Sequence, residues 1–272
     1  MRKVLLWVVT VAILLLAPGM GQGASKINTA TVTQALKQLG VSNVEVLGVE
    51  PSPIKGLWMV YVKVGGKRLG AFLLSSDSRY LITGKLLDLS AGGKDLTFAT
   101  GIEKGYIPLP QGKSLKESTV DINTTGSPAF GPAKAPKVIV YFDPLCPYCL
   151  RELKELKPMA DEGKILLVLK YFIVHGEEAR TLARGTLCLY QQGEKDAFWR
   201  YLFSQGKMGA PQGNKCDEGQ IELLLTRDGE EAKKLGLRGT PATIINDKLY
   251  SGYLGTPVIE KLLLTGKMAK GK

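Results

Sequence analysis

One stretch constrains this chain more than any other: residues 138–149, Val-Ile-Val-Tyr-Phe-Asp-Pro-Leu-Cys-Pro-Tyr-Cys. Its β-branched and aromatic run over 138–142 reads as a buried strand. A short turn through Asp143 and Pro144 follows, and then Leu150, Leu153 and Leu156 recur at helical spacing. Two cysteines three apart therefore sit where a strand hands over to a helix. Pro147 suits the first helical position, where its missing N–H costs nothing. Cys146 then occupies the cap, facing unpaired backbone N–H groups and the positive end of the helix dipole, a placement suited to a reactive thiolate. Cys149 lies one turn along the same face, within disulfide reach and more shielded. The expected division of labour makes Cys146 the attacking sulfur and Cys149 the resolving thiol. A plain disulfide or half a zinc site would use the same two residues, but the coincidence of strand, C-x-x-C and helix favours redox chemistry.

The compartment follows from the N-terminus. Arg2 and Lys3 precede an apolar run over 4–17, too short to span a bilayer comfortably, and 18–24 is small and turn-like. Residues 1–24 read as a signal peptide, with an uncleaved anchor as the alternative. No cysteine follows the apolar run, so no lipid attachment is expected there. Outside the cytosol thiols tend to oxidise, and the chain has four cysteines. With Cys146 and Cys149 paired, Cys188 and Cys216 are free to pair with each other. Such a bridge would close a loop of about 28 residues, worth roughly 3–4 kcal/mol in the chain-entropy model. Zinc needs four ligands, and the one histidine, His175, with no second C-x-x-C, makes a metal site a poor reading; no metal or organic cofactor is expected. The net charge of +11 falls by two without Arg2 and Lys3, and the basic residues are scattered rather than blocked. That pattern reads as solubility and general attraction to acidic partners, with no nucleic-acid site.

With 272 residues, 44% of them hydrophobic, the chain has room for two packed domains after the leader is removed. A helix over 26–40, capped by Thr29 or Thr31, precedes strands over 44–49, 57–64, 68–74 and 80–87, with Gly65-Gly66 as a hairpin turn. This unit, 25–95, is too small for a large core and would gain by dimerising through a sheet edge. A linker over 96–118 carries a helix over 96–107 and ends in a proline- and glycine-marked boundary. The second domain, 119–272, has an edge strand over 119–123, the central strand, and a helix over 147–163 with Pro158 inside it. Then come a strand over 165–172, helices over 177–192, 197–205, 218–225 and 229–235, a hairpin around Asn246-Asp247, and a last helix over 257–264. Gly-Thr-Pro occurs twice. Thr256-Pro257 starts a helix as cap and first residue, whereas Thr240-Pro241 precedes a strand and is a candidate cis bond.

Phe142-Asp-Pro-Leu-Cys-Pro-Tyr-Cys149 before a helix, with Gly239-Thr240-Pro241 before a late hairpin, resembles a thioredoxin fold. The domain order, the leader and Gly84-Lys-Leu-Leu-Asp88 narrow the resemblance to the periplasmic thiol:disulfide interchange proteins of the DsbC/DsbG type. It implies an α+β protein: a small dimerisation domain of helix plus antiparallel sheet, a linker helix, and a thioredoxin-like domain with a helical insert. It further implies a V-shaped homodimer whose active sites face a shared cleft. Carried over residue by residue, Cys146 and Cys149 match the nucleophile and resolving cysteine. Thr240 and a cis Pro241 match the pair before the substrate-binding strand, and Cys188 and Cys216 match the structural disulfide of the DsbC branch. Tyr148 is expected at the exposed rim of the substrate site. The Pro147-Tyr148 dipeptide departs from the Gly-Tyr usual in DsbC and matches DsbG.

What this implies is exchange with wrong disulfides in exported proteins, the dithiol being kept reduced by a membrane thiol reductase of the DsbD kind. Two alternatives stay open: a reductase of sulfenylated single cysteines, as in DsbG, and a chaperone whose cleft holds unfolded chains. A DsbA-like oxidase fits less well, because that family lacks the N-terminal domain. Asp143 is expected to shape the turn, His175 to be a loop residue, and Trp58 and Trp199 to pack.

Overall fold

The computed structural model describes residues 27–90, 93–115, 120–208, 211 and 216–270; the leader expected over 1–24 lies outside them. The chain opens with α1 (Thr29–Gln38), whose first turn is capped by Asn28 rather than by either threonine: Asn28 Oδ1 accepts the Thr31 N–H at 2.8 Å. Four antiparallel strands follow in chain order, β1 (Val44–Pro51), β2 (Leu57–Val64), β3 (Arg68–Ser75) and β4 (Leu81–Thr83). Gly65 and Gly66, at φ 60° and 72°, make the β2–β3 turn that L-residues with a Cβ resist. Alternation along β2 and β3 sorts their side chains. Val60, Val62, Phe72 and Leu74 pack with Val32 and Leu36 of α1, while Met59, Tyr61 and Leu73 pack on the other face with Tyr106 and Ile107. The strand expected over 80–87 is cut at Gly84, at φ 139°, and its end pairs separately as β5 (Leu87–Asp88) with β6 (Lys94–Asp95). Asp95 then caps α2 (Leu96–Glu103), accepting the Phe98 N–H at 3.0 Å, and Gly105, at φ 80°, stops the helix short of residue 107.

The second sheet has six strands in the order β7 (Lys113–Ser114), β12 (Lys248–Ser251), β11 (Ala242–Ile245), β9 (Lys137–Phe142), β10 (Leu166–Tyr171), β8 (Ala129–Phe130). Only β9 and β10 run parallel; the other pairs are antiparallel. The edge strand expected over 119–123 is replaced: described residues 120–123 form no strand, and the edges are the two-residue strands β7 and β8. Around the sheet lie α3 (Pro147–Asp161), α4 (Gly176–Gln191), α5 (Lys195–Phe203), α6 (Glu218–Lys234) and α7 (Thr256–Lys270). The two helices expected over 218–225 and 229–235 are one. Gly229 costs about 1 kcal/mol in a helix interior, but Leu224, Leu225, Asp228, Glu231 and Ala232 carry one buried face straight through it. The chain thus has the α+β architecture the sequence implies, and α2, in the stretch expected as the linker, packs against α7.

The central strand β9 is buried on both sides. Val138, Val140 and Phe142 join the larger core with α3, whereas Ile139 and Tyr141 join the smaller core on the opposite face. Into that second face the fold sets a charge cluster. The fully buried Lys170 ammonium meets Asp228 Oδ1 at 3.1 Å, Glu231 Oε1 at 2.6 Å and the Asn123 carbonyl at 2.6 Å. Tyr141 donates its hydroxyl to Glu231, and Tyr171 donates its N–H to Asp228 at 3.0 Å. Buried charges persist only when so paired. The cluster ties β9, β10 and α6 to the segment that enters the domain.

Candidate active site

The site is built at the C-terminal end of β9. Past Phe142, the Asp143 side chain is fully buried and organises the turn. Its Oδ1 accepts the Leu145 N–H at 2.8 Å, and its Oδ2 accepts the N–H groups of Val174 and His175 at 2.7 and 3.0 Å. His175 Nδ1 lies 3.1 Å from Oδ1, and the Cys146 N–H bonds the Asp143 carbonyl at 3.0 Å. One carboxyl therefore binds the approach to Cys146 to the loop after β10, as a turn-forming residue does. His175, expected in a loop, stands at the N-cap of α4 with its side chain half-exposed.

Cys146 is the N-cap of α3, in extended backbone conformation, with Pro147 at the first helical position. Both cysteines are unbridged and buried, Cys146 at 4% exposure and Cys149 at 0%. Cys146 Sγ lies 3.5 Å from the carbonyl oxygen of Thr240, the residue of the cis Thr240–Pro241 bond. Burial pushes the Cys149 thiol up, and the Cys146 sulfur beside it adds to the rise, while the Thr240 hydroxyl and the Asp143 backbone oppose it. That hydroxyl is buried without an N or O partner; its neighbour is the Cys149 sulfur. Tyr148 points out, 61% exposed. The fold thus brings Cys146, Cys149, Thr240 and Pro241 to one place and sets Tyr148 at its edge. Beside it a cavity of about 400 Å³ is lined by Pro147, Leu150, Arg151 and Lys154 of α3 with Gly93 and Gln205.

Cys188 and Cys216 lie apart from this site and are bridged, their Cα atoms 5.2 Å apart, pinning α4 to the start of α6. Among the described residues no group of three or more His, Cys, Asp or Glu side chains is set to hold a metal.

The sequence reading missed two carboxylates. Glu152, one turn after Cys149, is fully buried; its Oε1 accepts the Thr243 hydroxyl at 2.6 Å and its Oε2 the Leu254 N–H at 3.0 Å. Glu155, a further turn on, accepts the Tyr253 hydroxyl at 2.5 Å and the N–H and hydroxyl of Thr256 at 3.0 and 3.2 Å. Thr256, expected as the cap of α7, is thereby bound to α3 and opens the helix itself. The signal was legible: residues 149, 152 and 156 share the buried face of α3.

A dithiol at the N-terminus of a helix, facing a cis proline across a mixed sheet, defines a thioredoxin-like thiol:disulfide exchange protein. The comparisons agree. Residues 123–263 match the family model described as Thioredoxin, and residues 23–98 the one described as Disulfide bond isomerase protein N-terminal domain. DsbC of Pasteurella multocida is 30% identical over 231 residues, 84% of this chain and 87% of that protein. DsbG of Pseudomonas aeruginosa is 29% identical over 175 residues, 60% of this chain and 64% of that protein, just under two thirds of its length. The catalytic domain of Proteus mirabilis ScsC superimposes with a TM-score of 0.46 at 21% identity, over 54% of this chain and 92% of that one, a likeness too slight to build on. This chain belongs to the DsbC/DsbG family of thiol:disulfide interchange proteins.

Proposed function

We propose that the protein isomerises or reduces non-native disulfides in exported proteins through the Cys146/Cys149 dithiol. The observation that carries this is the free thiol pair at the head of α3, with Cys146 Sγ 3.5 Å from the carbonyl before cis Pro241. The Cys146 thiolate attacks one sulfur of a client disulfide; a Cys146–client disulfide forms and the other client sulfur leaves as a thiolate. A second client thiolate then attacks the client sulfur of that adduct and frees Cys146, which is isomerisation with no net electron transfer. Alternatively Cys149 attacks Cys146 Sγ, the client sulfur leaves, and the enzyme ends oxidised while the client has gained two electrons. The backbone at Thr240, beside Cys146, offers an extended client a main-chain partner by strand addition, with Tyr148 at the rim. Cys188–Cys216 stays structural.

The rest of the reading follows the family. Residues 1–24 act as a cleaved signal, the mature chain works in the periplasm, and 25–95 forms a homodimer, with 96–118 as linker and 119–272 as catalytic domain. A membrane thiol reductase of the DsbD kind returns the oxidised enzyme to the dithiol. The Pro147-Tyr148 dipeptide and the likeness to DsbG favour a second reading, reduction of sulfenylated single cysteines; a chaperone role without exchange is the third. Reactivation of a scrambled-disulfide test protein separates them. Activity that vanishes in Cys146→Ala and survives in Cys149→Ala supports isomerisation with client thiols resolving. No reactivation, with aggregation still suppressed by all three proteins, overturns it.

A further inference from the structure

The cavity beside the dithiol holds positive charge that the fold leaves without a full set of partners. Its volume is about 400 Å³; Pro147, the residue bonded to Cys146, lines it, and so do Arg151 and Lys154 further along α3. At 1.5 Å of rise per residue, these two stand about 7.5 and 12 Å from Cys146 along the helix axis. Cations in the first half of a helix gain nothing from its dipole, and the first turn of α3 has no acidic residue for them to meet. The lining has one carboxylate, Glu155, which is already engaged. The Tyr253 hydroxyl and Arg151 Nε meet its Oε1 at 2.5 and 3.4 Å, and Thr256 donates twice to its Oε2. Arg151 is held in place by that contact and by the Tyr253 ring, 4.7 Å from its guanidinium carbon, yet its side chain is 39% exposed. Its two terminal nitrogens have no hydrogen-bond partner among the described residues. Lys154 is exposed and meets no carboxylate among those residues; its ammonium lies 5.5 Å from the Phe203 ring centre. Gln205, held in the left-handed backbone region at φ 53° just past α5, adds an uncharged amide to the lining.

We propose that this cavity is a client subsite for an acidic side chain, read by Arg151 and Lys154. The inference rests on the dithiol reading above and adds the class of client that the dithiol captures fastest. An extended chain advances about 3.3 Å per residue. The two cations therefore stand about two to four residues away from a client cysteine joined to Cys146. The free end of the Arg151 guanidinium offers a carboxylate the planar fork of a bidentate pair, and Lys154 adds a second charge with no fixed direction. Pro147 and Leu150 give the cavity an apolar wall for the methylene groups of an aspartate or glutamate. The pairing acts on encounter and alters no step of the exchange itself. Clients with Asp or Glu near the attacked cysteine are captured ahead of clients with an uncharged residue there, a choice made by charge rather than by contact area.

Matched cysteine peptides carrying a thiopyridyl disulfide test this. They differ only in the residue three positions from the cysteine, Glu or Gln, placed before it in one pair and after it in another. Release of pyridinethione on mixing with the reduced full chain at low salt reports attack by Cys146. The readout is the ratio of the Glu rate to the Gln rate within each protein, taken for the pair that the wild type discriminates better. The wild type should give a ratio of about 3 or more. Arg151→Gln/Lys154→Gln should bring it below half of the wild-type ratio. Lys154→Glu, at an exposed position, should do the same and decides the matter if the double variant does not fold. Lys134→Gln/Lys137→Gln removes as much charge at the other end of β9 and should keep more than half of the ratio. A wild-type ratio below about 3 overturns the proposal. So does a ratio that stays above half of the wild-type one in either α3 variant that folds. A ratio that falls below half in the Lys134/Lys137 variant also overturns it, because the preference then belongs to net charge rather than to the cavity. No release from the Gln peptide, or release as fast from Cys146→Ala, would instead refute the dithiol reading itself.

Discussion

Replacing Lys170 by methionine tests the packing behind the site. The two side chains have similar length, so the change removes charge more than volume. The ammonium loses three partners at 2.6–3.1 Å, of which two are carboxylates buried to 1% and 6% exposure. Arg227, 2.9 Å from Asp228 Oδ1 at the cluster's outer side, still faces Asp228, but Glu231 loses its cation. Removing one partner of a buried ion pair costs about 3–5 kcal/mol, because the charge left behind is uncompensated. The cost depends on pH with a fixed sign. Burial already holds the Asp228 carboxyl above its usual range, and Lys170 works against that rise. Without Lys170 the native state holds a proton there that the unfolded chain loses at about pH 4. Between that pH and the higher native value the native state binds more protons, so stability falls as pH rises and recovers on acidification. Urea unfolding, followed by Trp199 fluorescence in a Trp58→Phe background, should show Lys170→Met destabilised by about 3–5 kcal/mol at pH 7.5 and by less than half of that at pH 5. A deficit under about 1 kcal/mol at pH 7.5, or one that does not change with pH, would refute the reasoning.

Other perturbations follow from the same geometry. The raised Glu152 carboxyl, at about 7 in the fold, makes the native state bind the extra proton between about pH 4.5 and 7; wild-type stability should therefore drop by roughly 3 kcal/mol across that window from this group, and the drop should be missing in Glu152→Gln when unfolding is measured at each pH. Replacing Cys188 and Cys216 together by alanine should cost about 3–4 kcal/mol, read as a lower urea midpoint, without changing the rate at which Cys146 is alkylated. Gly48 lies under the ring of Tyr106, which stacks on Tyr61 at 5.0 Å and donates to Glu50 at 2.6 Å, so Gly48→Val should displace that ring and cost about 1–3 kcal/mol of N-terminal unfolding stability, seen by tyrosine fluorescence.

What was legible in the sequence followed from local pattern. The alternation and β-branching of residues 57–64 and 242–245 place β2 and β11 at those residues, and the run at 138–149 locates the nucleophile turn, because periodicity and turn chemistry act over a few residues. The edge strands β7 and β8 are two residues each and exist through pairing with β12 and β10, partners far along the chain. Residues 218–225 and 229–235 read as two helices because the buried contacts that hold them together as one belong to other elements. Lys170 and Glu152 were polar interruptions of apolar faces. Spacing marks them as buried, but only the fold supplies Asp228 and Glu231 for the one and Thr243 and Leu254 for the other.

The central claim is that Cys146 attacks and Cys149 resolves. It is tested most directly by incubating the reduced Cys149→Ala protein with a disulfide-bonded test protein and mapping the adduct by non-reducing electrophoresis and peptide mass. The account predicts a stable mixed disulfide through Cys146 that a dithiol reductant releases, and no accumulation of that adduct when Cys149 is present. No adduct, or one formed equally well by Cys146→Ala, would contradict it.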